Sequence, residues 1–396
     1  MSAPSRLTAL DALRGFTIAA MIIVNDPGSW SHVYPPLRHA VWHGITPTDF
    51  VFPFFLFIVG VSIVLSLGPR RDQGLPPADL NGKILRRAGI IFALGLFLWL
   101  FPGFDWAGIR LPGVLQRIAL VFAICALLFL RTSARQQLYL GIGLLLGYWL
   151  VLALVPVPID AVIREALATG EVPGSGGMIP IERPRTIGAG FIAPTYQPGL
   201  NLAAWIDRLL IPGRLWQRSW DPEGLLSTLP AIATGIGGML AGHLLRSDKT
   251  PEQKTLYLLL GGFLAFTAGS VWAWFFPLNK NLWSSSFVLY TAGLAAMGLG
   301  AMYWLVDIRG HRRWTGMGIV FGANAITAYV LHGVLGDFFR IPWGSEGTTI
   351  TALWMDTLIA RGLAPAFASL LWAIAYMLLC YLPVWLLYRR RVFIKI

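Results

Sequence analysis

Two histidines and an aspartate lie close together in RHAVWHGITPTDFVFPFF, residues 38–55. A neutral imidazole can accept a proton or attack an acyl group near neutral pH, so His39 and His43 are candidates for base or nucleophilic chemistry. Their i, i+4 spacing would suit a metal ion on a helix, but without a third ligand nearby it is weak evidence for zinc. The tetrapeptide TPTD, from Thr46 to Asp49, has the pattern of a helix start, which favours a capping role for Asp49.

A few more polar side chains fall inside apolar stretches, where their desolvation is costly and a functional role is the default hypothesis. They are Asp11, Arg14, Asn25, Gln116, Arg117, His243, Asn324 and His332. His243 is expected near the membrane interface, where a histidine costs little, and is discounted. Asp11 and Arg14, three residues apart, could equally form a self-neutralising pair. Arg117 lies deeper than a loop charge and is predicted to serve a cavity. Asn324 is predicted to hold helices together, and for His332 that role and a site role are equally supported.

The composition predicts an all-α polytopic membrane protein. The chain of 396 residues is 56% hydrophobic and only 13% charged, with a mean hydropathy of +0.64. The apolar runs do not alternate with polar residues, which excludes a β-barrel. The net charge of +12 is spread over short loops, so it indicates membrane topology rather than nucleic-acid binding. Cys125 and Cys380 lie in apolar runs and predict neither a disulfide framework nor a metal site.

About ten spans are expected, within one domain covering residues 1–396. They are 8–25, 50–68, 84–101, 111–130, 137–155, 226–245, 255–276, 283–306, 318–337 and 366–388. The first is predicted to be a retained span rather than a cleaved signal peptide. A long connection follows the fifth span, at 156–225, and another precedes the tenth.

Lysine and arginine counts predict the orientation. One side of the predicted topology carries 18 of these residues, including Arg6 and Lys395, and the other carries 11, six of them in the long 156–225 loop. Basic residues favour the cytoplasmic side, and long loops are discounted in this rule. Both termini are therefore expected in the cytoplasm, with His39 and the long loop on the opposite side.

The order of motifs resembles that of the heparan-α-glucosaminide N-acetyltransferase family, whose members share a transmembrane acyltransferase architecture. The resemblance runs essentially from end to end. It is carried by LDALRGF, IIVN, HAVWHGITPTDFVFPFFLFIVG, IRLPGVLQR, IDRLL, DPEGLLST, NKNLWSSSFV, the segment from Asn324 to His332, and YRRRVFIKI.

The resemblance implies transfer of an acetyl group from cytosolic acetyl-CoA, a co-substrate, to the amine of an amino sugar on the far side of the membrane. It implies that His39 is the catalytic histidine and that Asn25 belongs to the same site. Where this chain has His43, the human family member has asparagine, which favours His39 for the chemistry. His39 could act as a base or carry the acetyl group, and Asn25 could orient it or stabilise an oxyanion. No metal is required, because a thiolate is a good leaving group.

The two substrates are expected to bind on opposite sides. Arginines suit the phosphates of CoA, and the candidates are Arg14, Arg86, Arg87 and Arg117, of which Arg86 and Arg87 could instead only set the topology. Trp216 and Trp220 could stack on a sugar. The other acceptor-side candidates are Asp221, Glu223, Asn279, Lys280, Asn281 and His332, although Asp221 and Glu223 could equally cap the sixth span.

Two other functions fit the same polar cavity: a permease for amino sugars such as N-acetylglucosamine, and an O-acyltransferase of a surface polysaccharide. The absence of an evident internal repeat weighs against the permease. The expected location is a bacterial inner membrane. The expected acceptor is glucosamine or a cell-wall or chitin-derived fragment rather than heparan sulfate, since we expect no separate domain before the first span. The resemblance also implies a homodimer.

Overall fold

Long apolar helices dominate the structure, a computed structural model that describes residues 7–343 and 347–394. Arg6 and Lys395, which were counted for orientation, lie outside the described residues. The long helices are α1 (Thr8–Asn25), α2 (Val51–Asp72), α3 (Pro77–Leu100), α4 (Val114–Arg131), α5 (Ala134–Leu154), α8 (Thr228–Arg246), α9 (Pro251–Trp272), α10 (Ser285–Met302) and α14 (Pro365–Arg389). A π-helical turn, Tyr303–Ile308, extends α10.

Shorter helices lie between the long ones. These are α6 (Ala161–Thr169), α7 (Leu202–Leu210), α11 (Gly316–Ala323), α12 (Ala325–Phe339) and α13 (Ile350–Ala360). Single 3₁₀ turns occupy Pro35–Leu37, Pro47–Phe50 and Arg313–Thr315.

Within the described residues, eight helices are long and apolar enough to cross a membrane, and the bent pair α11 and α12 could supply a ninth. The fold is therefore the predicted all-α polytopic membrane protein. α3 occupies the place of another predicted span and has 24 residues, but Lys83, Arg86 and Arg87 lie in its first half. Thus each of the ten predicted spans corresponds to a helix or to a bent pair of helices. Two of these spans differ from the rest: α3 because of its charged residues, and the span formed by α11 and α12 because of its bend.

The predicted span 318–337 is not one straight helix. α11 and α12 meet at Asn324 with an angle of 76° between them. The Asn324 side-chain amide donates to the carbonyl of Val392 at 3.1 Å, and its oxygen accepts the amide N–H of Ile394 at 2.9 Å. The asparagine expected to hold helices together therefore bonds the C-terminal segment at a helix break.

Close packing between helices depends on glycines at two crossings. A Cβ on Gly15 of α1 would lie 1.7 Å from the Gly318 carbonyl oxygen of α11, and one on Gly60 of α2 would lie 2.0 Å from the Gly235 carbonyl oxygen of α8. Only glycine allows such an approach, which is typical of helix pairs in membranes. These crossings hold α1 and α2, the two helices that flank residues 26–50.

The long connection after α5 is folded. It contains α6 and α7, the hairpin of β2 (Glu171–Gly174) and β3 (Gly177–Pro180), and an antiparallel sheet with the order β1 (Val157–Pro158), β5 (Phe191–Ile192), β4 (Thr186–Ile187). A hydrophobic cluster that includes Ile163, Ile192 and Trp220 joins this connection to the ends of α5 and α9. We call residues 155–227 the cap. The end of the bundle that bears the cap and residues 26–50 is the cap face, and the other end, with the connections 73–76 and 247–250, is the basic face.

Candidate active site

His39 is bound to a buried carboxylate. Its Nδ1 lies 2.7 Å from Oδ1 of Asp49, and Asp49 is only 1% exposed. The second oxygen of Asp49 accepts the backbone N–H groups of Ala40 at 3.1 Å and Thr46 at 3.0 Å. A carboxylate fixed in this way favours the tautomer with the proton on Nδ1, in which Nε2 of His39 is the basic nitrogen.

The same carboxylate begins α2. The capping arrangement of Thr46 and Asp49 predicted from the sequence is confirmed, with the 3₁₀ turn Pro47–Phe50 leading directly into α2. Capping alone, however, is an incomplete account of Asp49, because its other oxygen holds His39. A rigid helix start therefore fixes the position of the imidazole.

An ammonium group stands beside the imidazole. Nζ of Lys280 lies 3.1 Å from Nδ1 and 3.2 Å from Nε2 of His39, and 4.0 Å from Oδ1 of Asp49. Nζ is almost equidistant from the two ring nitrogens, but their hydrogen-bonding directions diverge in the plane of the ring. Nζ therefore cannot make a well-aligned hydrogen bond to both. Desolvation, and then the positive charge of Lys280, lower the pKa of His39 below its ordinary value. Desolvation likewise lowers the pKa of Lys280.

A buried arginine organises the acidic part of the site. Arg110 donates to both oxygens of Asp221, at 2.8 and 2.6 Å, and to Oε2 of Glu223 at 2.6 Å. These carboxylates raise the pKa of Arg110 despite its desolvation. Asp221 also accepts the backbone N–H groups of Trp216 and Glu223, so its oxygens are committed to the protein. Only Glu223 of this group faces the cavity that His39 lines.

That cavity is open to solvent, and the free space in it, including the part at its mouth, is about 550 Å³. Its polar end, at the cap face, is formed by Asn25, His39, Glu223 and Lys280. The rest of its wall is largely apolar and comes from α1, α2, α4 and α12; it includes Thr17, Ile18, Met21, Phe52, Phe55, Ile118 and Tyr329. The cavity therefore reaches from the polar cluster into the membrane-spanning part of the bundle, and we call it the central cavity.

The predicted donor-side arginines do not form one group. Arg14 lies three residues before Thr17, which lines the cavity. Its guanidinium lies 3.1 Å from the carboxylate of Asp11, and it donates to Ser62 at 2.9 Å and to the Gly322 carbonyl at 3.2 Å. The Asp11–Arg14 pair is thus present, but Arg14 also joins α1 to α2 and α11. Arg86 and Arg87 are exposed on the basic-face half of α3, with the Arg87 guanidinium 4.9 Å from the centre of the Phe122 ring.

Arg117 is separated from those arginines. It lies in the first turn of α4, at the cap-face end, and is 1% exposed. Its guanidinium donates to the Gly224 carbonyl at 2.9 Å and to Ser227, and it stands 5.3 Å from the centre of the Trp283 ring. The sequence grouped Arg117 with the phosphate-binding candidates; the geometry instead makes it a buried support beneath the cap.

Two predicted acceptor contacts are also occupied within the protein. Trp220 is 3% exposed and packs edge-on against Trp42, with ring centres 5.1 Å apart, so its faces are not open to a sugar. Trp216, in contrast, is 45% exposed and lies over Arg110. Asp221 does not cap the sixth span, because α8 begins at Thr228.

The remaining acceptor candidates lie at different distances from the cavity. Asn279 is fully buried, accepts the Leu282 N–H at 2.8 Å, and lies 3.3 Å from Nδ1 of His43. Asn281 borders a small separate pocket beside Trp42 and Asp221. Of the sequence NKN, only Lys280 reaches the central cavity.

His332 lies behind the cavity wall. Its Nδ1 is 3.0 Å from Asp26, whose other oxygen accepts from Arg340 at 3.0 Å. The ring packs edge-on against Tyr329, which does line the cavity. The predicted direct contact of His332 with the acceptor is therefore replaced by an ionic cluster that supports the wall next to Asn25.

His39 and His43 are not arranged as the pair of metal ligands that their spacing would allow on a helix. Residues 38–46 are not helical, so His39 and His43 do not share a helix face. Across the described residues, no three His, Cys, Asp or Glu side chains form a group that could hold a metal ion.

Arg110 is the functional candidate that the sequence reasoning missed. It belongs to the quoted motif IRLPGVLQR, but an arginine at the end of an apolar run is usually topogenic. Its burial between Trp99 and Trp216 and its two carboxylate partners are visible only in the folded chain.

The fold and the site together define a polytopic membrane protein with a histidine–carboxylate pair at the mouth of a cavity that penetrates the bundle. Residues 6–163 match the family described as heparan-alpha-glucosaminide N-acetyltransferase, catalytic. The heparan-alpha-glucosaminide N-acetyltransferases of Homo sapiens and Mus musculus are each 31% identical to this chain, over 89% and 86% of its length. The chain spans 58% and 55% of the length of these two relatives. The resemblance seen in the motifs is confirmed.

Proposed function

We propose that this protein is a membrane N-acetyltransferase that moves an acetyl group from acetyl-CoA to the amine of an amino sugar of the glucosamine type. The observation that carries the proposal is the His39–Asp49 pair at the polar end of a cavity that enters the membrane-spanning bundle. The similarity to two N-acetyltransferases supports the class of reaction.

The proposed reaction begins with the free amine of the sugar near Nε2 of His39. The amine nitrogen attacks the thioester carbonyl, Nε2 accepts the proton from nitrogen, the carbon–sulfur bond breaks, and the proton passes to the departing thiolate. Asp49 stabilises the imidazolium that forms transiently. Lys280 and the Asn25 amide are the nearby groups that could stabilise the oxyanion. In the alternative route Nε2 of His39 attacks the thioester carbonyl itself and the carbon–sulfur bond breaks to release the thiolate of CoA. The sugar amine then attacks the acetyl group, the bond to Nε2 breaks, and the amine proton leaves with the imidazole.

The central cavity is the proposed path of the pantetheine arm. Its lining changes from polar at Asn25 to apolar along α1, and it extends to Thr17. Arg14 lies one helical turn further, roughly 5 Å along the axis. We propose that Arg14, with Arg86 and Arg87 of α3, binds the phosphates of CoA.

The acceptor is proposed to bind under the cap. Glu223 is the carboxylate nearest the cavity and can receive hydroxyls or an ammonium, while Trp216 offers an exposed ring face. In the proposed orientation the basic face is cytoplasmic and the cap lies outside, in a bacterial inner membrane. A homodimer is also part of the proposal, on the strength of the family resemblance alone.

One experiment tests the activity against the permease alternative. Purified protein in detergent, given acetyl-CoA and glucosamine, should release CoA and form N-acetylglucosamine in equal amounts. Proteoliposomes containing no acetyl-CoA should not take up radiolabelled glucosamine or N-acetylglucosamine. Uptake without any CoA release would establish the permease instead. Release of CoA only with a hydroxyl acceptor would establish O-acylation.

A further inference from the structure

A second cavity lies away from the central cavity, in the part of the bundle that faces the membrane. It offers about 1080 Å³, counted out to its open side, between α5 and α9. α5 packs on α8 and α9 packs on α10, so α8 and α10 form the floor of the groove. We call it the α5–α9 groove.

The groove is closed at one end and open at the other. At the cap-face end Trp149 of α5 packs edge-on against Trp272 of α9, with ring centres 5.5 Å apart. Towards the basic face the groove reaches Leu138 and Tyr257, in the first two turns of α5 and α9, and Leu244 in the last turn of α8. A ligand of this shape is a chain that enters from the basic face and ends beneath the two tryptophans.

The groove has an apolar lining and small residues on both flanks. Gly141, Gly261 and Ala265 leave the space, and Leu145, Ile236 and Leu289 coat its inner surface. Ile142 and Leu138, on the rim of α5, are exposed to the surrounding membrane. At hydrocarbon depth the available filler of an open apolar groove is a lipid chain, since water gains no hydrogen bonds there.

Cations stand at the open end. The Lys249 ammonium lies 5.0 Å from the centre of the Tyr257 ring, and the Arg135 guanidinium lies 5.5 Å from the ring of Tyr139, which adjoins Leu138. Lys254 is one turn before Tyr257 on α9. The carboxylates on this connection are Asp248 and Glu252. The three cations Arg135, Lys249 and Lys254 outnumber these two carboxylates. Such a mouth complements the phosphate of a lipid whose chain fills the groove.

We propose that the α5–α9 groove binds an anionic phospholipid. One acyl chain lies in the groove, and the phosphate lies at the basic face between Arg135 and Lys249. The groove is separate from the central cavity, and the proposal does not depend on the acetyltransferase function.

Native mass spectrometry of the protein from nanodiscs of phosphatidylglycerol and phosphatidylcholine, 1:1, tests the proposal. The wild type should retain one phosphatidylglycerol per chain, at least about fivefold over phosphatidylcholine, under activation that removes the other lipids. Gly261→Phe should abolish retention, because a Cβ at Gly261 meets open space and the ring would fill the groove. Gly143→Phe is the matched control: it is also an open glycine in a helix, lies outside the groove, and should retain lipid as the wild type does.

The second arm changes only the mouth. Lys249→Gln, at an exposed position, should lower the preference for phosphatidylglycerol over phosphatidylcholine at least threefold without affecting the fold. Both lipids carry a phosphate, so equal retention by the wild type would contradict selection for a headgroup with a net negative charge. Undiminished retention of lipid by Gly261→Phe would overturn the proposal.

Discussion

Nδ1 of His39 lies 2.7 Å from Oδ1 of Asp49, and the same carboxylate accepts the backbone N–H of Thr46 at 3.0 Å where α2 begins. The imidazole is therefore tied to the first turn of a membrane-spanning helix, although His39 itself lies in an irregular segment. The side chain of His39 is 38% exposed, so packing alone does not fix its orientation. The orientation therefore depends on the link to Asp49. The predictions below follow from that arrangement and from the groups around it.

Replacing the carboxylate should remove activity without removing the helix start. Asp49→Asn can still accept the Thr46 N–H, but it no longer stabilises an imidazolium or favours the proton on Nδ1. We expect kcat to fall on the order of 10²–10⁴-fold, as in other histidine–carboxylate pairs. Steady-state release of CoA measures this, and Asp79→Asn, at an exposed site in the first turn of α3, is the control. Wild-type kcat in Asp49→Asn would show that the pair is structural.

Removing the neighbouring ammonium should change the pH dependence. Lys280 disfavours the protonated form of His39, so the acidic limb of the kcat/KM profile should lie below the ordinary histidine pKa of about 6.5. Lys280→Met removes the positive charge, raises the pKa of His39, and should move that limb upward by about 0.5–1 pH unit. Lys83→Met, at an exposed position on α3, should leave the profile unchanged. A downward shift in Lys280→Met would contradict the assignment of His39 as the base.

The carboxylate at the cavity should act on the binding of the acceptor and not on that of the donor. Glu223→Gln keeps one hydrogen bond to Arg110 but removes the charge that faces the sugar. We expect the KM for glucosamine to rise about 5- to 50-fold, the loss of roughly 1–2 kcal/mol, with the KM for acetyl-CoA unchanged. Glu165→Gln on the exposed side of α6 is the control. Equal increases in both KM values would place Glu223 outside the acceptor site.

The positions of the membrane helices could be predicted from the sequence because apolar length alone decides them: each predicted span coincides with a helix or, for 318–337, with a bent pair. The bend itself could not be predicted. It coincides with the hydrogen bonds of Asn324 to Val392 and Ile394, about 70 residues away along the chain. Contacts of this range leave no local pattern.

Parts of the candidate site were predictable to different degrees. The capping pattern of Thr46 and Asp49 is local and was predicted, whereas the approach of Lys280 to His39 spans 241 residues. Trp220 and Arg110 were misjudged or missed because their burial depends on how the cap folds against the bundle. The catalytic role of His39 was implied by the family resemblance, its contact with Asp49 supports that role, and it remains a prediction.

The cap should lose stability as the pH rises from mildly acidic values through about 7. Burial raises the pKa of Asp207 to about 7, from 3.8 in an unfolded chain. Between these values the folded cap holds a proton that the unfolded chain has lost, so its stability falls as the pH rises, by roughly 1–4 kcal/mol in total. Hydrogen exchange of amides in residues 199–227, corrected for intrinsic rates, should show more protection at pH 5.5 than at pH 8.

Asp207→Asn provides the comparison. The asparagine oxygen can still accept the Leu225 N–H that Asp207 accepts at 2.8 Å, but it cannot ionise. Protection in this variant should be nearly independent of pH, whereas the exposed-site variant Asp248→Asn should behave like the wild type. An equally steep pH dependence of protection in Asp207→Asn would show that other titrating groups cause it.

The most direct test of the account is the turnover of His39→Ala. Purified protein, acetyl-CoA and glucosamine are mixed at pH 7.5, and CoA and N-acetylglucosamine are measured together. The control is His32→Ala, an exposed histidine in the same segment between α1 and α2. The account predicts that His39→Ala loses at least about 10²-fold in kcat and that His32→Ala retains wild-type turnover. Wild-type turnover by a folded His39→Ala protein would contradict it.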